Sequence, residues 1–535
     1  MRLVKASEIQ EMDRLTIQDM GIPGIVLMEN AARGAAGIFL DYFEPPENAH
    51  GVVLCGPGNN GGDGYVVARY LYEKGLKTTV IVLAPLAKVK GDALTNLEII
   101  RRMDLDILEC PGIDEWTGCR PTIETCDFVI DGLLGTGLNA PVRGFYATVI
   151  EDVNASGRPV MAIDIPSGLH ADTGQILGKA IRATLTVTFG FPKLGQLIFP
   201  GAALVGRLTN ILIGIPKTVA DRIPDHYHLA EPAHFTPLLR FNRQDIHKGD
   251  RGHLLVLAGS TGKTGAATLT ALGALRAGAG LVTVGIPASL NPILENKLTE
   301  AMTFPLPETG DGSLSLEAEN EVLRLMEGKS AVALGPGLST HKETTELVKR
   351  IVAQCPIPMV IDADGLNALA GDTGLLADRK AATVLTPHPG EMSRMSGLKT
   401  TEVQSDRVGS ALRFVETHGC TLVLKGARTL IVEPDGRVYV NPTGNPALSS
   451  GGSGDVLTGL IGGFLARGWP MTESAVGAVY LHGLAADLLA EDMGQAGILA
   501  GELLDVIPEL MDFLAGEAWP LETPPLHEAV YHPRF

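Results

Sequence analysis

Aromatic residues make up only 5% of this 535-residue chain, and basic residues are outnumbered, 43 Lys+Arg against 61 Asp+Glu. The net charge of -18 argues against a general affinity for nucleic acid or anionic membranes, though it leaves room for a local basic pocket. A CxxC pair is missing too. The six cysteines, Cys55, Cys110, Cys119, Cys126, Cys355 and Cys420, are scattered, so neither a zinc site nor a disulfide framework is indicated and buried, reduced thiols are expected. The apolar-looking stretch from Ala266 to Leu290 is broken by Arg276 and several glycines, and reads as a packed helix followed by a strand, not a membrane span. The opening MRLVKASEIQEMDR is charged from the start and has no apolar signal-peptide core. A cytoplasmic protein with no membrane or nucleic-acid partner is the expectation. What the chain has in quantity is small and apolar residues, 64 Gly and 45% hydrophobic. That composition suits packed α/β layers, and the length suggests two or more domains.

One stretch near the end carries chemistry: Gly444-Asn445-Pro446-Ala447-Leu448-Ser449-Ser450-Gly451-Gly452-Ser453-Gly454-Asp455, followed by an apolar run of helical character. Backbone without Cβ atoms can wrap an anion with its N–H groups, and a helix start adds partial positive charge. A carboxylate there would repel phosphate. Asp455 makes sense as the base that takes a proton from a hydroxyl during phosphoryl transfer. The plainer reading is a tight turn with an acidic N-terminal cap.

The first half repeats a strand, loop and helix. Ser7 with Gln10 suggests a capping box and a helix to Asp19, and Ile25 to Phe39 a second helix. Val52 to Cys55 reads as a buried strand. It leads into Gly56-Pro57-Gly58-Asn59-Asn60-Gly61-Gly62-Asp63-Gly64, and Tyr65 to Lys74 has helical spacing. Strand-like Phe128–Ile130 and Val160–Ile163 lead into loops starting at Asp131 and Asp164. In an open parallel sheet, loops at the carboxyl ends of strands share one edge. That gathers Asn60, Asp131 and Ser167 as oxygen donors, with Asp63 and Asp164 as further carboxylates. Taken singly, any of these loops is ordinary turn chemistry.

The signatures GPGNNGGDG, DGLLGTG and IDIPSGL, with Phe189, Pro192, Lys193 and Pro200-Gly201 further on, resemble the N-terminal domain of the NAD(P)H-hydrate repair proteins, over roughly residues 1 to 220. The resemblance implies a Rossmann-like doubly wound domain that interconverts the two hydrates of NADH or NADPH. By position, Asn59, Asn60, Gly61, Gly62 and Asp63 would contact the hydrate. So would Gly135, Thr136, Gly137, Leu138, Asn139, Ala140 and Pro141, with Asp164 against the nicotinamide end. Asn60, Asp131 and Ser167 would hold K⁺. A hydroxyl beside a ring nitrogen is a hemiaminal, and one acid/base group can expel and re-add water or open and reclose the ring. Asp164 is assigned that role, the alternative being that it only orients the substrate.

Asp221 to Arg240 carries three prolines and little periodicity, so the domain boundary is expected there, with His226 and His228 solvated. Beyond it, His253 to Ala258 meets Gly259-Ser260-Thr261-Gly262-Lys263-Thr264, which carries Gly-Lys-Thr without the first Walker glycine, so a P-loop NTPase is not read. Strands ending at Leu334, Ile361, Thr386 and Leu424 feed further loops, in the order of a ribokinase-like α/β fold. The signatures GSTGKTGAA, GPGL, DADGLN, TPHPGE, KGART and NPALSSGGSGDVLTG resemble the NAD(P)H-hydrate dehydratase domain over roughly residues 240 to 512. Ala266, Gly337, His388 and Asp455 would then contact the hydrate. Nucleotide would be held by Lys425, Gly426, Ala427, Arg428 and Thr429 and by the Asn445–Gly454 stretch, chiefly Gly451, Gly452, Ser453 and Gly454. Leu448 stands where relatives usually show Met, a volume-conserving change.

The resemblance thus implies a fused enzyme: an epimerase over 1–225, a linker over 226–240, a dehydratase over 241–515 and an irregular tail over 516–535. NADHX or NADPHX and ADP would be substrates, with Mg²⁺ beside the nucleotide; ADP in place of ATP rests on analogy to fused bacterial-style members alone. A homo-oligomer is expected. The competing reading is a ribokinase-like small-molecule kinase fused to a non-catalytic binding module. The PHPGE and DADGLN loops, and the retention of Asn60, Asp131, Asp164 and Ser167, weigh against it.

Overall fold

The computed structural model describes residues 1–240, 245–516 and 526–528. The chain divides into two compact units, Arg2–Tyr227 with Glu522–Phe535, and Met1 with His228–Leu521.

In the first unit, strands His50–Cys55 (β1), Lys77–Val82 (β2), Asp106–Glu109 (β3), Phe128–Gly132 (β4), Val160–Ile163 (β5), Leu185–Phe189 (β6) and Arg207–Ile211 (β7) form one parallel sheet. Its order is β7-β6-β5-β4-β1-β2-β3, which reverses direction between β1 and β4, where ligands enter doubly wound sheets. Side chains alternate along each strand. Val53 and Cys55 pack in one cluster and Val52 and Leu54 in another, so both faces are covered. Helices Ala6–Gln18 (α1), Gly24–Phe43 (α2) and Asn59–Glu73 (α3) bring the site residues to the carboxyl edge.

The start of α3 differs from the sequence expectation. The helix begins at Asn59, not Tyr65, so Asn59 to Gly64 are its first turns rather than a loop. Packing explains this: a Cβ on Gly61 would lie 1.9 Å from the Gly56 carbonyl oxygen. Glycine, poor in an isolated helix, is what lets this helix seat on the β1 turn.

The second unit contains strands His253–Leu257 (β8), Leu281–Pro287 (β9), Met302–Leu306 (β10), Ala331–Leu334 (β11), Met359–Ile361 (β12), Thr383–Leu385 (β13), Thr421–Leu424 (β14), Leu430–Val432 (β15) and Val438–Val440 (β16). Their order is β16-β15-β14-β13-β12-β11-β8-β9-β10, parallel from β10 to β14 and closed by an antiparallel hairpin. Helices Thr264–Arg276 (α4), Pro389–Ser396 (α5), Ser453–Ala466 (α6) and Met471–Met493 (α7) matter for the site. A Cβ on Gly459 would come 2.3 Å from the Thr270 carbonyl oxygen, so α6 lies flush on α4 and its N-terminus is fixed.

The expected linker is ordered. Prolines 232 and 237 occupy first-turn positions of short helices, where their missing N–H costs nothing. Phe235 is fully buried in the second unit's core. His228 is not simply solvated but stacks on Tyr439, 5.2 Å between ring centres; His226 is exposed. Most of the expected irregular tail falls outside the described residues, but 526–528 form a strand parallel to β7. All six cysteines are buried and unpaired. Among the described residues no helix is long and apolar enough to cross a membrane.

Candidate active sites

A cavity of about 560 Å³ opens at the carboxyl edge of the first sheet. Asn59, Asn60, Asp63, Gly135 to Leu138 and Asp164, all expected to contact the hydrate, line it. Asn139, Ala140 and Pro141 lie outside that lining, and Gly61 and Gly62 turn into the packing of α3. Asp131 and Ser167 are buried at the base of the Leu133–Leu134 turn. The Asp131 Oδ1 accepts from the Ser167 hydroxyl at 2.6 Å and its Oδ2 from the Ser167 N–H at 2.8 Å. The Leu134 N–H donates to the Ser167 Oγ at 2.9 Å, and the Asn60 amide donates to the Leu134 carbonyl at 3.2 Å. The three oxygen-donor residues therefore meet on one turn. Burial pushes the Asp131 carboxyl up to about 6, against the pull of its hydrogen bonds to Ser167 and Leu133.

Asp164 follows β5 with φ +62, a left-handed conformation that a non-glycine residue keeps only when its surroundings enforce it. Here they do. Its Oδ1 is bonded to the buried Lys193 ammonium and accepts from the Thr188 hydroxyl at 3.2 Å and the Phe189 N–H at 3.1 Å. The Gln196 amide donates to its carbonyl at 2.6 Å. Lys193 was noted in the sequence without a role, and Asp13, which also lines the cavity, was passed over. A signal existed for Asp13. It lies one helical turn from Ile9 and Thr16, on the buried stripe of α1 where a carboxylate is out of place.

In the second unit the loops after β11, β12, β13 and β14 meet the N-terminus of α6. Lys425 reaches from β14 to the Asp362 Oδ1 at 2.7 Å, and the Thr458 hydroxyl donates to its Oδ2 at 2.8 Å. A Cβ on Gly454 would lie 3.5 Å from the Lys425 Nζ, so the two expected nucleotide stretches adjoin. Arg407, missed in the sequence, donates to the carbonyls of Leu424, Lys425 and Ala427 and shapes the first of them. His482 of α7, made a weaker base by burial, to about 4, contacts the Ser453 carbonyl at 2.9 Å and steadies the second.

Asp455 stands in the first turn of α6, and its carboxylate takes no hydrogen bond among the described residues. Burial chiefly, then the Asp362 charge, raise its carboxyl to about 6 against the opposing pull of Lys425. Burial works to lower Lys425, but Asp362 and Glu391 outweigh it, and its pKa sits above the ordinary value. Gly337 packs against Ala266: a Cβ on it would come 3.1 Å from that of Ala266. His388 caps α5, accepting from the Gly390 N–H at 3.0 Å, while its own N–H donates to Glu391, itself 3.9 Å from Lys425. Lys263 pairs with Asp364 at 2.9 Å, joining the first loop to the third.

Residues 254–509 match the family model for NAD(P)H-hydrate dehydratase, and residues 24–195 that of the YjeF-related protein N-terminus. The chain is 43% identical over 519 residues to the bifunctional NAD(P)H-hydrate repair enzyme Nnr of Moorella thermoacetica, covering 97% of this chain and 98% of the relative. It is 38% identical over 511 residues to the enzyme of the same name from Thermofilum pendens, covering 96% of each. Among solved structures, an ADP/ATP-dependent NAD(P)H-hydrate dehydratase from Bacillus subtilis, co-crystallised with ATP/Mg²⁺, is 34% identical over 54% of this chain and 98% of its own, with a TM-score of 0.48.

Proposed function

This chain belongs to the bifunctional NAD(P)H-hydrate repair enzymes, and we propose that its two units divide the repair between them. The first interconverts the R and S hydrates of NADH or NADPH, and the second dehydrates the S hydrate at the expense of a nucleotide. The observation that supports this division is that each unit has its own cluster of buried carboxylate and lysine at the carboxyl edge of its own sheet.

In the first unit, Asn59, Asn60, Asp63 and Gly135 to Leu138 bind the hydrate, and Asp164 meets the nicotinamide end as the proton-transferring group. Potassium is the proposed ion at Asn60, Asp131 and Ser167. The donor set fits: amide, hydroxyl and carboxylate oxygens suit an alkali cation. The buried Asp131 also has no cationic side chain hydrogen-bonded to it among the described residues, and a cation there would offset the burial cost. Bound, it would supply positive charge beneath the Leu133–Gly135 turn that faces the substrate.

In the second unit, nucleotide phosphates lie on the Lys425–Thr429 and Gly451–Gly454 stretches, and the hydrate lies against Ala266, Gly337 and His388. Hydroxide is a poor leaving group. Asp455 takes the proton of the ring hydroxyl as its oxygen attacks the terminal phosphorus of ADP, releasing AMP. The ring nitrogen's lone pair then breaks the C–O bond and expels phosphate, and loss of a ring proton restores the dihydropyridine. Mg²⁺ would ride on the nucleotide phosphates, with Glu391 and Asp362 the carboxylates beside Lys425. ADP as the nucleotide, a cytoplasmic location and a homo-oligomeric assembly complete the proposal. Leu212, 67% exposed, is one apolar side chain an assembly could cover.

Incubating the protein with a mixture of both hydrate epimers and ADP tests the reading. Complete restoration of the cofactor is expected. Restoration of the S share alone removes the first activity, and no restoration removes the second.

A further inference from the structure

Asp13 is a carboxylate of the first cavity that no role yet explains. Its Oδ1 is buried with no hydrogen-bond partner, although it lines the same cavity as Asp164 and Lys193. A buried polar atom without a partner costs free energy, and the cost is smaller for an uncharged carboxyl than for a carboxylate. Asp164 is placed differently. Its bonds to Lys193, Thr188 and Phe189 all fall on Oδ1, which occupies that oxygen and leaves Oδ2 for the cavity. An oxygen already accepting from an ammonium is poorly suited to hand over a proton.

We infer that Asp13 is the acid of epimerisation, giving its proton to the hydroxyl that leaves the hydrate ring, while Asp164 serves as the base toward the water that re-enters. This rests on the epimerase reading of the first unit. In the forward step the ring C–O bond breaks, the oxygen leaves as water with the Asp13 proton, and the nitrogen lone pair forms C=N⁺. Water then adds to the opposite face, the electron pair returns to nitrogen, and Asp164 takes the surplus proton. The reverse turnover, or exchange with solvent, restores both carboxyls.

Electrostatics agree with the geometry. Burial chiefly raises the Asp13 carboxyl to about 6, Lys193 pulling it down and Asp164 pushing it up. The other ionisable groups facing the cavity are Asp63 and Asp92. Asp63 is raised well above its ordinary value, by burial and then by the Asp164 and Asp13 charges.

The test starts with the unaltered protein, without nucleotide, converting a single hydrate epimer into the mixture. If it does not, the epimerase reading falls on its own, before any variant is made. Given that activity, Asp13→Asn should keep its cooperative melt and bind hydrate within about threefold, yet lose at least about a hundredfold in kcat, as for a positioned acid. The unaltered protein should lose kcat as pH rises above about 6, and that limb should vanish from the residual activity of Asp13→Asn. Near-normal kcat, or an unchanged basic limb, overturns the inference. Should Asp13→Asn fail to fold, Asp13→Glu decides: a basic limb displaced from that of the unaltered protein supports it, and an identical midpoint overturns it.

Discussion

The two halves each tie an aspartate at a strand's carboxyl end to a buried lysine, Asp164 to Lys193 and Asp362 to Lys425, yet the pairs leave different groups free. In the first half the bonds fall on one oxygen of Asp164, and the other belongs to a cavity of about 560 Å³. In the second half both Asp362 oxygens are taken, one by Lys425 and one by Thr458. Asp362 is therefore scaffold, and the open carboxylate is its neighbour Asp455. A buried ion pair costs desolvation that its own attraction repays only with good partners. What each pair contributes here is charge placed next to a third group. Asp13 and Asp455 both come out near 6, each chiefly through burial. The tasks proposed for them are opposite: Asp13 would start with its proton, Asp455 without it.

Removing Asp455 should break the comparison most severely. Asp455→Asn should lower dehydration at least about a hundredfold, the loss of a positioned base, while epimerisation continues, because no residue lining the first cavity belongs to the second unit. Single-turnover dehydration with ADP measures it, and near-normal turnover would take Asp455 out of the chemistry.

A pH titration of both activities sharpens the contrast without any mutation. With Asp455 as the proposed base, dehydration should fall as pH drops below about 6. With Asp13 as the inferred acid, epimerisation should fall as pH climbs above about 6. Each limb should approach about tenfold per pH unit, the slope of a single titrating group. Two limbs on the same side would show that one of the carboxyls has been given the wrong task.

Much of this was legible in the sequence because glycine-rich loops after apolar runs announce strand ends, and parallel strands present those ends on one edge. Asn60, Asp131, Asp164 and Ser167 were gathered that way. What stayed hidden depends on packing between distant segments. The Asp164–Lys193 pair spans 29 residues and a strand crossover, and the Asp362–Lys425 pair spans 63. The helical start at Asn59 was misread because glycine's low propensity outweighs, on paper, a close approach visible only in three dimensions. The region around Phe235 was taken for linker because its prolines suggest a break, whereas they begin short helices that bury an aromatic ring.

The smallest expected effect concerns the cation, and it separates the halves by ion rather than by proton. Asp131 is a buried carboxylate with hydrogen bonds but no bonded cationic side chain among the described residues, whereas Asp362 has Lys425. A carboxylate so placed carries a burial cost that either a proton or a metal cation can relieve, and its rise to about 6 shows that cost. Asp131→Asn keeps the volume and one acceptor while removing the charge. It should weaken hydrate binding several-fold, on the order of 1 kcal/mol, and leave the remaining epimerisation indifferent to whether K⁺ or a bulky organic cation is the salt. Dehydration should respond to neither change. If epimerisation by Asp131→Asn still rises with K⁺ as in the unaltered protein, the ion acts elsewhere, and the Asn60–Asp131–Ser167 turn is held together by its hydrogen bonds alone.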